Sequence, residues 1–233
     1  MVEAFDYVIV GNSAAGLQAL QTLRKHSTHA SVAIIDREDH RAYSRVLTPY
    51  FVGGKAERDH LFIVDHEFYY RTRVTTLFGR TVIALHTDDK QLELDDGRRV
   101  TFGKLLLAIG AEARQLEVAS DRSSVLRHMT HAEQLVELML KAKTITAIGA
   151  GLVSLPLLSH APADADKHMV VGSNRILSRV VDAEASAILE KRFTENGLQL
   201  HKQNDIVAIE EREQLLLRLA SGDTLSSDML IVG

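Results

Sequence analysis

The stretch from Tyr7 to Asp36 places the strongest constraint on how this chain folds. It opens with the apolar run Tyr7-Val8-Ile9-Val10 and continues into Gly11-Asn12-Ser13-Ala14-Ala15-Gly16. A second apolar run ends at Asp36, twenty residues after Gly16. A buried strand that enters a helix through so tight a turn points the free amides of the helix N-terminus at one place, which suits a pyrophosphate. The stretch therefore predicts a strand, a turn and a helix that bind a dinucleotide.

Each part of this motif has a physical role. Gly11 makes the turn, Gly16 allows close packing of helix and strand, and Asp36 is placed to accept hydrogen bonds from a ribose diol. Ser13 replaces the middle glycine of the usual pattern with a small side chain that can donate a hydrogen bond. The alternative is an ordinary strand-to-helix connection without a ligand. Strand, turn, helix and acid together favour nucleotide binding.

Length, charge and cysteine content exclude several classes of function. A chain of 233 residues is long enough for one large domain or two modest domains with separate cores, and we expect two. A net charge of -4 without a basic tract argues against a nucleic-acid partner. Neither a membrane helix nor a signal peptide is recognisable, so we expect a cytoplasmic protein with no membrane partner. The chain contains no cysteine, which excludes disulfides and a thiol redox centre formed by its own residues.

An internal repeat divides the chain into two similar halves. Two strands, a glycine turn and a continuous apolar strand follow one another from Val82 to Gly110, and the same order returns from Ile206 to Gly233. A second glycine-rich turn, Gly149-Ala150-Gly151-Leu152-Val153-Ser154, opens the second half. The predicted fold class is therefore α/β, with two tandem Rossmann-like dinucleotide-binding domains, each with a parallel sheet and an antiparallel three-stranded meander.

The pattern also predicts boundaries within this arrangement. The first domain is expected over residues 1–116 and the second over 117–233, with a linker at 112–124. An amphipathic helix is expected over 130–141, with Leu135, Leu138 and Met139 facing inward. The apolar strands at 105–110 and 229–233 are expected to be buried, because alternation there gives way to continuous apolar residues.

These motifs together resemble the FAD- and NAD(P)-dependent pyridine nucleotide-disulfide oxidoreductase superfamily over the whole chain. The first glycine turn, Asp36-Arg37-Glu38 and the loop Tyr43-Ser44-Arg45-Val46-Leu47-Thr48-Pro49-Tyr50 are most similar to rubredoxin and ferredoxin reductases and the flavin part of NAD(P)H nitrite reductase. The resemblance implies FAD and NAD(P)H as cofactors, and hydride transfer from NAD(P)H to FAD. Val46 stands where disulfide-reducing relatives carry a redox cysteine. Electrons are therefore expected to reach an external acceptor, a small redox protein or another subunit, without a thiol relay.

The resemblance assigns cofactor roles by position. Arg45 and Pro49 are the candidate catalytic residues, expected to lie near the flavin. Further residues are assigned to the FAD pyrophosphate, its adenosine ribose, its adenine and the strand that lines the cofactor. They are Gly11, Asn12, Ser13, Ala14, Ala15, Gly16, Asp36, Arg37, Val82, Ala108, Ile109 and Gly110.

The second glycine turn departs from the family pattern. Gly149, Gly151, Leu152 and Val153 are assigned to the nicotinamide nucleotide, but the third glycine is Ser154. Pro156 occupies the place of a glutamate near the nicotinamide. A helix over 152–161 is expected to end before Pro162.

The acid that would bind a ribose in this second site is also missing. The position expected for it falls on Gly172, whereas Ser173 and Arg175 offer a hydrogen bond and a positive charge to a 2′-phosphate. NADPH, NADH and no productive binding therefore remain open.

In relatives, the last strand of the FAD domain and an interface domain follow the position that corresponds to Gly233. The chain is therefore expected to be either a truncated version or a short form completed by a partner. A homodimer is common among the relatives. The rival function is a non-catalytic nucleotide-binding module or assembly subunit with a degenerate nicotinamide site; a lone Rossmann-type NAD(P) protein is a third. No metal site is expected, because His128 and His131 lack a third ligand nearby.

Overall fold

The computed structural model describes residues 2–113 and 120–233. The predicted domain boundary between 116 and 117 lies outside the described residues and stays a prediction. In chain order the strands and helices are β1 (Val2–Val10), α1 (Ala14–His26), β2 (Val32–Asp36), α2 (Thr48–Val52), α3 (Phe68–Arg71), β3 (Thr75–Phe78), β4 (Val82–His86), β5 (Gln91–Leu94), β6 (Arg99–Leu107), β7 (Ser123–Val125), α4 (Met129–Lys141), β8 (Thr144–Ile148), α5 (Ser154–Ser159), β9 (Asp166–Val171), α6 (Ala183–Glu195), β10 (Leu198–Lys202), β11 (Ile206–Glu211), β12 (Leu215–Leu219), β13 (Thr224–Ser227) and β14 (Met229–Val232).

The chain forms two compact units. The first unit comprises Met1–Arg45 and Arg58–Glu112, and the second comprises Val46–Glu57 and Ala113–Gly233. The segment Val46–Glu57 belongs to the second unit because α2 packs against α4 and α5 there. Val52 of α2 is buried in the same apolar cluster as the helix residues Leu135 and Leu158.

The first unit is built on a six-stranded sheet in the order β3-β2-β1-β6-β5-β4. The strands β3, β2, β1 and β6 run parallel, whereas β6, β5 and β4 are antiparallel neighbours. Strand β6 therefore serves both the parallel sheet and the meander. Core residues of the parallel strands, such as Ile35, pack against meander residues such as Leu92 and Val100.

The second unit has two separate sheets. Five parallel strands follow the order β10-β9-β8-β14-β7, and β11, β12 and β13 form an antiparallel sheet of their own. This arrangement and that of the first unit confirm the predicted fold class of paired parallel sheets and meanders.

Two predicted boundaries need correction in the second unit, and a third is confirmed. The linker prediction over 112–124 was wrong for Ser123 and Ser124, which pair with β14 as part of β7; three residues with two serines carry no strand pattern. The helix predicted over 152–161 is α5, which is shorter and stops at Ser159 before the cap residue His160. The helix predicted over 130–141 is confirmed as α4, with Leu135 and Met139 buried.

The two apolar strands that end the repeats differ in burial. Met229, Leu230 and Ile231 in β14 are fully buried, as predicted. The prediction was wrong at the end of the first repeat, where Leu107 is 51% exposed and Ile109 67% exposed. The physical reason is strand pairing. Strand β14 lies between β8 and β7, which cover it on both sides. Strand β5 pairs only with the first residues of β6, so among the described strands the end of β6 has β1 as its one neighbour.

Candidate functional site

The first glycine turn has the tight geometry that its sequence predicts. Gly11 adopts a φ of 111°, a conformation that side chains with a Cβ rarely adopt. A Cβ at this position would overlap the carbonyl oxygen of Ala108. The Gly11 amide donates to the carbonyl of Ile35 at 2.7 Å. The turn is therefore held between the ends of β2 and β6.

The start of α1 is shaped to receive an anion. A Cβ on Gly16 would overlap the carbonyl oxygen of Gly11, so only glycine lets the helix approach the turn this closely. Ser13 is the N-cap residue, but its side chain makes no capping hydrogen bond, and the first turn of α1 contains no acid. Free amides without a competing carboxylate fit the pyrophosphate of a dinucleotide.

Asp36 lies beside this turn at the end of β2. One of its carboxylate oxygens accepts from the Asn12 amide at 2.5 Å, and the other accepts from the Glu38 amide at 2.9 Å. These bonds fix the carboxylate at the edge where β1 and β2 end. Each oxygen retains further acceptor capacity for a ribose hydroxyl.

Asn12 is buried and held by Tyr69, a residue that the sequence interpretation missed. The Tyr69 hydroxyl donates to Asn12 Oδ1 at 2.8 Å and accepts from the Ala42 amide at 3.0 Å. The Asn12 side-chain amide donates to the His40 carbonyl at 3.3 Å. Tyr69 is 57 positions from Asn12, so no local pattern could have indicated this contact.

Arg45, predicted to lie near the flavin, neutralises a carboxylate in the first unit. Its guanidinium donates to Glu38 at 2.7 Å and to the Tyr43 hydroxyl at 2.9 Å. The Glu38 side chain is only 11% exposed, and His40 Nε2 lies 3.3 Å from it. Burial, reinforced by the Glu38 carboxylate, raises the pKa of Tyr43, and the hydrogen bond to Glu38 raises the pKa of His40. The flavin role of Arg45 stays a prediction.

The remaining residues assigned to FAD occupy different places. Val82 begins β4 and packs against the core of the first unit. Arg37 forms an ion pair with Glu112. Gly110 follows β6 with a φ of 69°. Pro49 is buried in α2 of the second unit, and its flavin role also stays a prediction.

The second glycine turn repeats part of the first. Gly149 has a φ of 85°, and a Cβ there would lie 2.5 Å from the carbonyl oxygen of Gly233. Its amide donates to the carbonyl of Val170 at 3.0 Å, as Gly11 does to Ile35. A Cβ on Gly151 would meet no atom within 4 Å, which leaves room for close approach of a ligand. Leu152 is exposed, and Val153 caps α5.

Ser154 and Pro156, the two departures from the family pattern, are accommodated in α5. Ser154 is buried and donates to the carbonyl of Ile148 at 3.4 Å. Pro156 lies in the first turn of the helix, where its missing N–H removes no intrahelical bond. Neither residue disrupts the turn itself.

Ser173 and Arg175 follow β9 and are turned toward the backbone. The Ser173 hydroxyl donates to the Arg175 carbonyl at 2.7 Å. The Arg175 guanidinium donates to the carbonyls of Ser178, Val181 and Asp182 at 2.9, 2.7 and 3.1 Å. Their assignment to a 2′-phosphate stays a prediction.

The described part of the chain contains no group of three or more side chains that could hold a metal ion. His128 and His131 instead form a capping arrangement at the start of α4. No helix within residues 2–113 and 120–233 has the length and apolar character needed to cross a bilayer.

Comparison with known proteins identifies the family. Residues 5–233 match the family described as pyridine nucleotide-disulphide oxidoreductase. The chain is 31% identical to the NADH-dependent phenylglyoxylate dehydrogenase subunit epsilon of Aromatoleum evansii, over 99% of this chain and 56% of that protein. It is 25% identical to the rubredoxin-NAD(+) reductase of Pseudomonas putida, over 97% of this chain and 60% of that protein.

A solved structure confirms the fold. The covalent complex of putidaredoxin reductase with putidaredoxin superposes with a TM-score of 0.91 at 24% identity, over 98% of this chain and 58% of that one. The chain thus spans roughly three fifths or less of the relatives it matches. The superfamily predicted from its motifs is confirmed: the chain belongs to the pyridine nucleotide-disulphide oxidoreductase family.

Proposed function

We propose that this chain is the FAD- and NAD(P)H-binding part of a flavoprotein oxidoreductase. When bound, FAD would supply the redox chemistry, which is to accept a hydride from NAD(P)H and to pass electrons to an external acceptor. The observation that carries the proposal is the first turn, where Gly11 and Gly16 leave no room for side chains and Asp36 is fixed beside free helix amides. These residues fit the pyrophosphate and ribose of FAD.

The second unit supports a separate nucleotide site. Its Gly149 turn follows a parallel strand, as the Gly11 turn does, and the space above Gly151 is open. Two turns of this kind in one chain are consistent with one site for a flavin nucleotide and another for a nicotinamide nucleotide. The relatives named as NADH-dependent or NAD(+) reductases are consistent with that division.

Anaerobic titration tests this function. The purified chain is reconstituted with FAD, its visible spectrum is recorded, and NADH or NADPH is added. We expect flavin absorbance in the protein fraction and bleaching by at least one nucleotide. Failure to retain FAD, or flavin that no nicotinamide nucleotide bleaches, would contradict a reductase. The second result would instead favour a non-catalytic flavin module.

We propose a small redox protein or a partner subunit as the acceptor, because the chain has no cysteine to relay electrons through a thiol. A cytoplasmic location and a homodimer belong to the same proposal. Reduction of an added ferredoxin or rubredoxin, cell fractionation and sedimentation analysis test these three points in turn.

A further inference from the structure

The edge of the second parallel sheet where a nucleotide ribose would bind lacks an acid of its own. The bond from Gly149 to Val170 matches that from Gly11 to Ile35, so Val171 takes the place that Asp36 has in the first unit. Gly172 follows it. Neither residue carries a carboxylate, although a carboxylate at this edge is what binds the ribose diol of NADH.

Asp205 brings a carboxylate to this edge from a different part of the chain. If Gly172 carried a Cβ, the three nearest heavy atoms to it would be Oδ1, Oδ2 and Cγ of Asp205, at 3.1, 3.7 and 3.8 Å. Asp205 lies between β10 and β11 and is exposed. In the described part of the chain its carboxylate makes no hydrogen bond or ion pair, so its acceptor capacity is available.

Backbone bonds hold this loop against the end of β9. The Gln203 amide donates to the Ser173 carbonyl and the Asn204 amide to the Val171 carbonyl, both at 3.1 Å. The Ala220 amide donates to the Asp205 carbonyl at 2.9 Å. The backbone that carries the Asp205 carboxylate is therefore held at the sheet edge by main-chain contacts.

Two cations in this part of the chain, Arg175 and Lys202, are engaged by other groups. Arg175 donates to three backbone carbonyls of the loop that follows it. The ammonium of Lys202 lies 2.9 Å from a carboxylate oxygen of Glu190. A 2′-phosphate placed at this edge would therefore meet the negative charge of Asp205, with neither Arg175 nor Lys202 free to balance it.

We propose that Asp205 is the specificity-determining residue of the nicotinamide-nucleotide site. Its carboxylate accepts hydrogen bonds from the 2′- and 3′-hydroxyls of the adenosine ribose, and it repels a 2′-phosphate. The chain therefore selects NADH over NADPH, with the ribose acid supplied by the connection after β10 instead of the end of β9. This inference rests on the proposed nicotinamide site and deepens it.

Calorimetric binding of two nucleotide fragments tests the inference without turnover. ADP-ribose and 2′-phospho-ADP-ribose are titrated into the FAD-reconstituted wild-type chain and into Asp205→Asn. We expect the wild type to prefer ADP-ribose. Asp205→Asn should weaken ADP-ribose about tenfold and tighten the 2′-phosphorylated fragment about tenfold, each a change of roughly 1.4 kcal/mol.

Asp166→Asn is the matched control, because it removes the same charge at the opposite end of β9. It should leave the preference between the fragments unchanged, and melting temperatures should show that both variants are folded. A wild type that binds both fragments equally, or an unchanged preference in Asp205→Asn, would overturn the role of Asp205 and leave the nicotinamide site standing. Failure of the wild type to bind either fragment would overturn the site and the inference together.

Discussion

Single residues set the shape of the first nucleotide turn, and two glycines do so in different ways. Gly11 is required for its left-handed backbone conformation and its contact with Ala108, whereas Gly16 is required for space alone. The physical requirement at Gly16 is therefore a distance between a helix and a turn. That requirement can be tested separately from backbone strain.

We predict that Gly16→Ala abolishes FAD retention and lowers the melting temperature. The added methyl group would overlap the Gly11 carbonyl oxygen, so α1 must move away from the turn and withdraw its amides. Visible absorbance after gel filtration and a thermal melt measure the two effects. Gly151→Ala is the control, because a Cβ there meets no atom within 4 Å; it should keep both flavin and stability. Full flavin content in Gly16→Ala would contradict the assigned role.

The predictability of site residues depends on how local their signal is. Gly11, Gly16 and Asp36 could be predicted because their spacing follows from one strand, one turn and one helix. Tyr69 and the proposed ribose acid Asp205 could not, because each comes from a distant part of the chain and carries no pattern of its own. The spacing of residues in the sequence predicts the turn, whereas the side chains that support the turn can be identified only in the folded chain.

At the scale of elements, β9 and β10 bring two histidines together. His168 Nδ1 lies 3.1 Å from His201 Nε2, and the two rings are stacked. Burial lowers the pKa of both histidines, and the neighbouring His201 lowers that of His168 further. Asp166 and Asp223 oppose these shifts by favouring the charged rings. Since a shared hydrogen bond needs a ring nitrogen without a proton, the pair resists double protonation.

We predict that this pair makes the protein less stable in mild acid. Because the folded pKa values lie below the ordinary histidine value of about 6.5, the unfolded chain binds more protons between these values, and stability is lost as pH falls from about 6.5 through the folded pKa values. Replacing both histidines with glutamine should shrink the difference in melting temperature between about pH 7.5 and about pH 5.5. His66→Gln, at an exposed histidine, should leave that difference unchanged. An undiminished difference in the double variant would contradict the prediction.

Element prediction worked where periodicity was long and failed where pairing decides the outcome. The helix α4 and the first two meander strands of each repeat follow from their patterns, whereas β13 was not predicted. The strand β7 does not, because three residues with two serines become a strand only by pairing with β14. The exposure of Leu107 was missed for the same reason, since its surroundings depend on which strand lies beside β6.

For the whole molecule, the assignment of two nucleotides to two units predicts separate effects of each ligand. We expect FAD to slow amide hydrogen exchange around residues 11–16 and 36–38, and NADH to slow it around 149–154 and 171–175. A ligand that binds the native state opposes local opening, by about 2.7 kcal/mol when the ligand concentration is a hundred times its dissociation constant. Hydrogen exchange followed by mass spectrometry measures both patterns. ADP-ribose serves as the control for NADH. Protection of the 11–16 region by NADH in the FAD-free chain would contradict the assignment.

The central position of β6 has a consequence for how the protein is made. Strand β1 pairs with β6 in the register Val2 to Arg99, a separation of 97 residues (99 minus 2). Contacts so distant in sequence slow folding, because a long loop must close before they form. During synthesis, β1, α1 and β2 leave the ribosome well before their partner strand. The Gly11 turn acquires its final shape only once Ala108 has been translated, so flavin capture must follow the emergence of the first hundred or so residues.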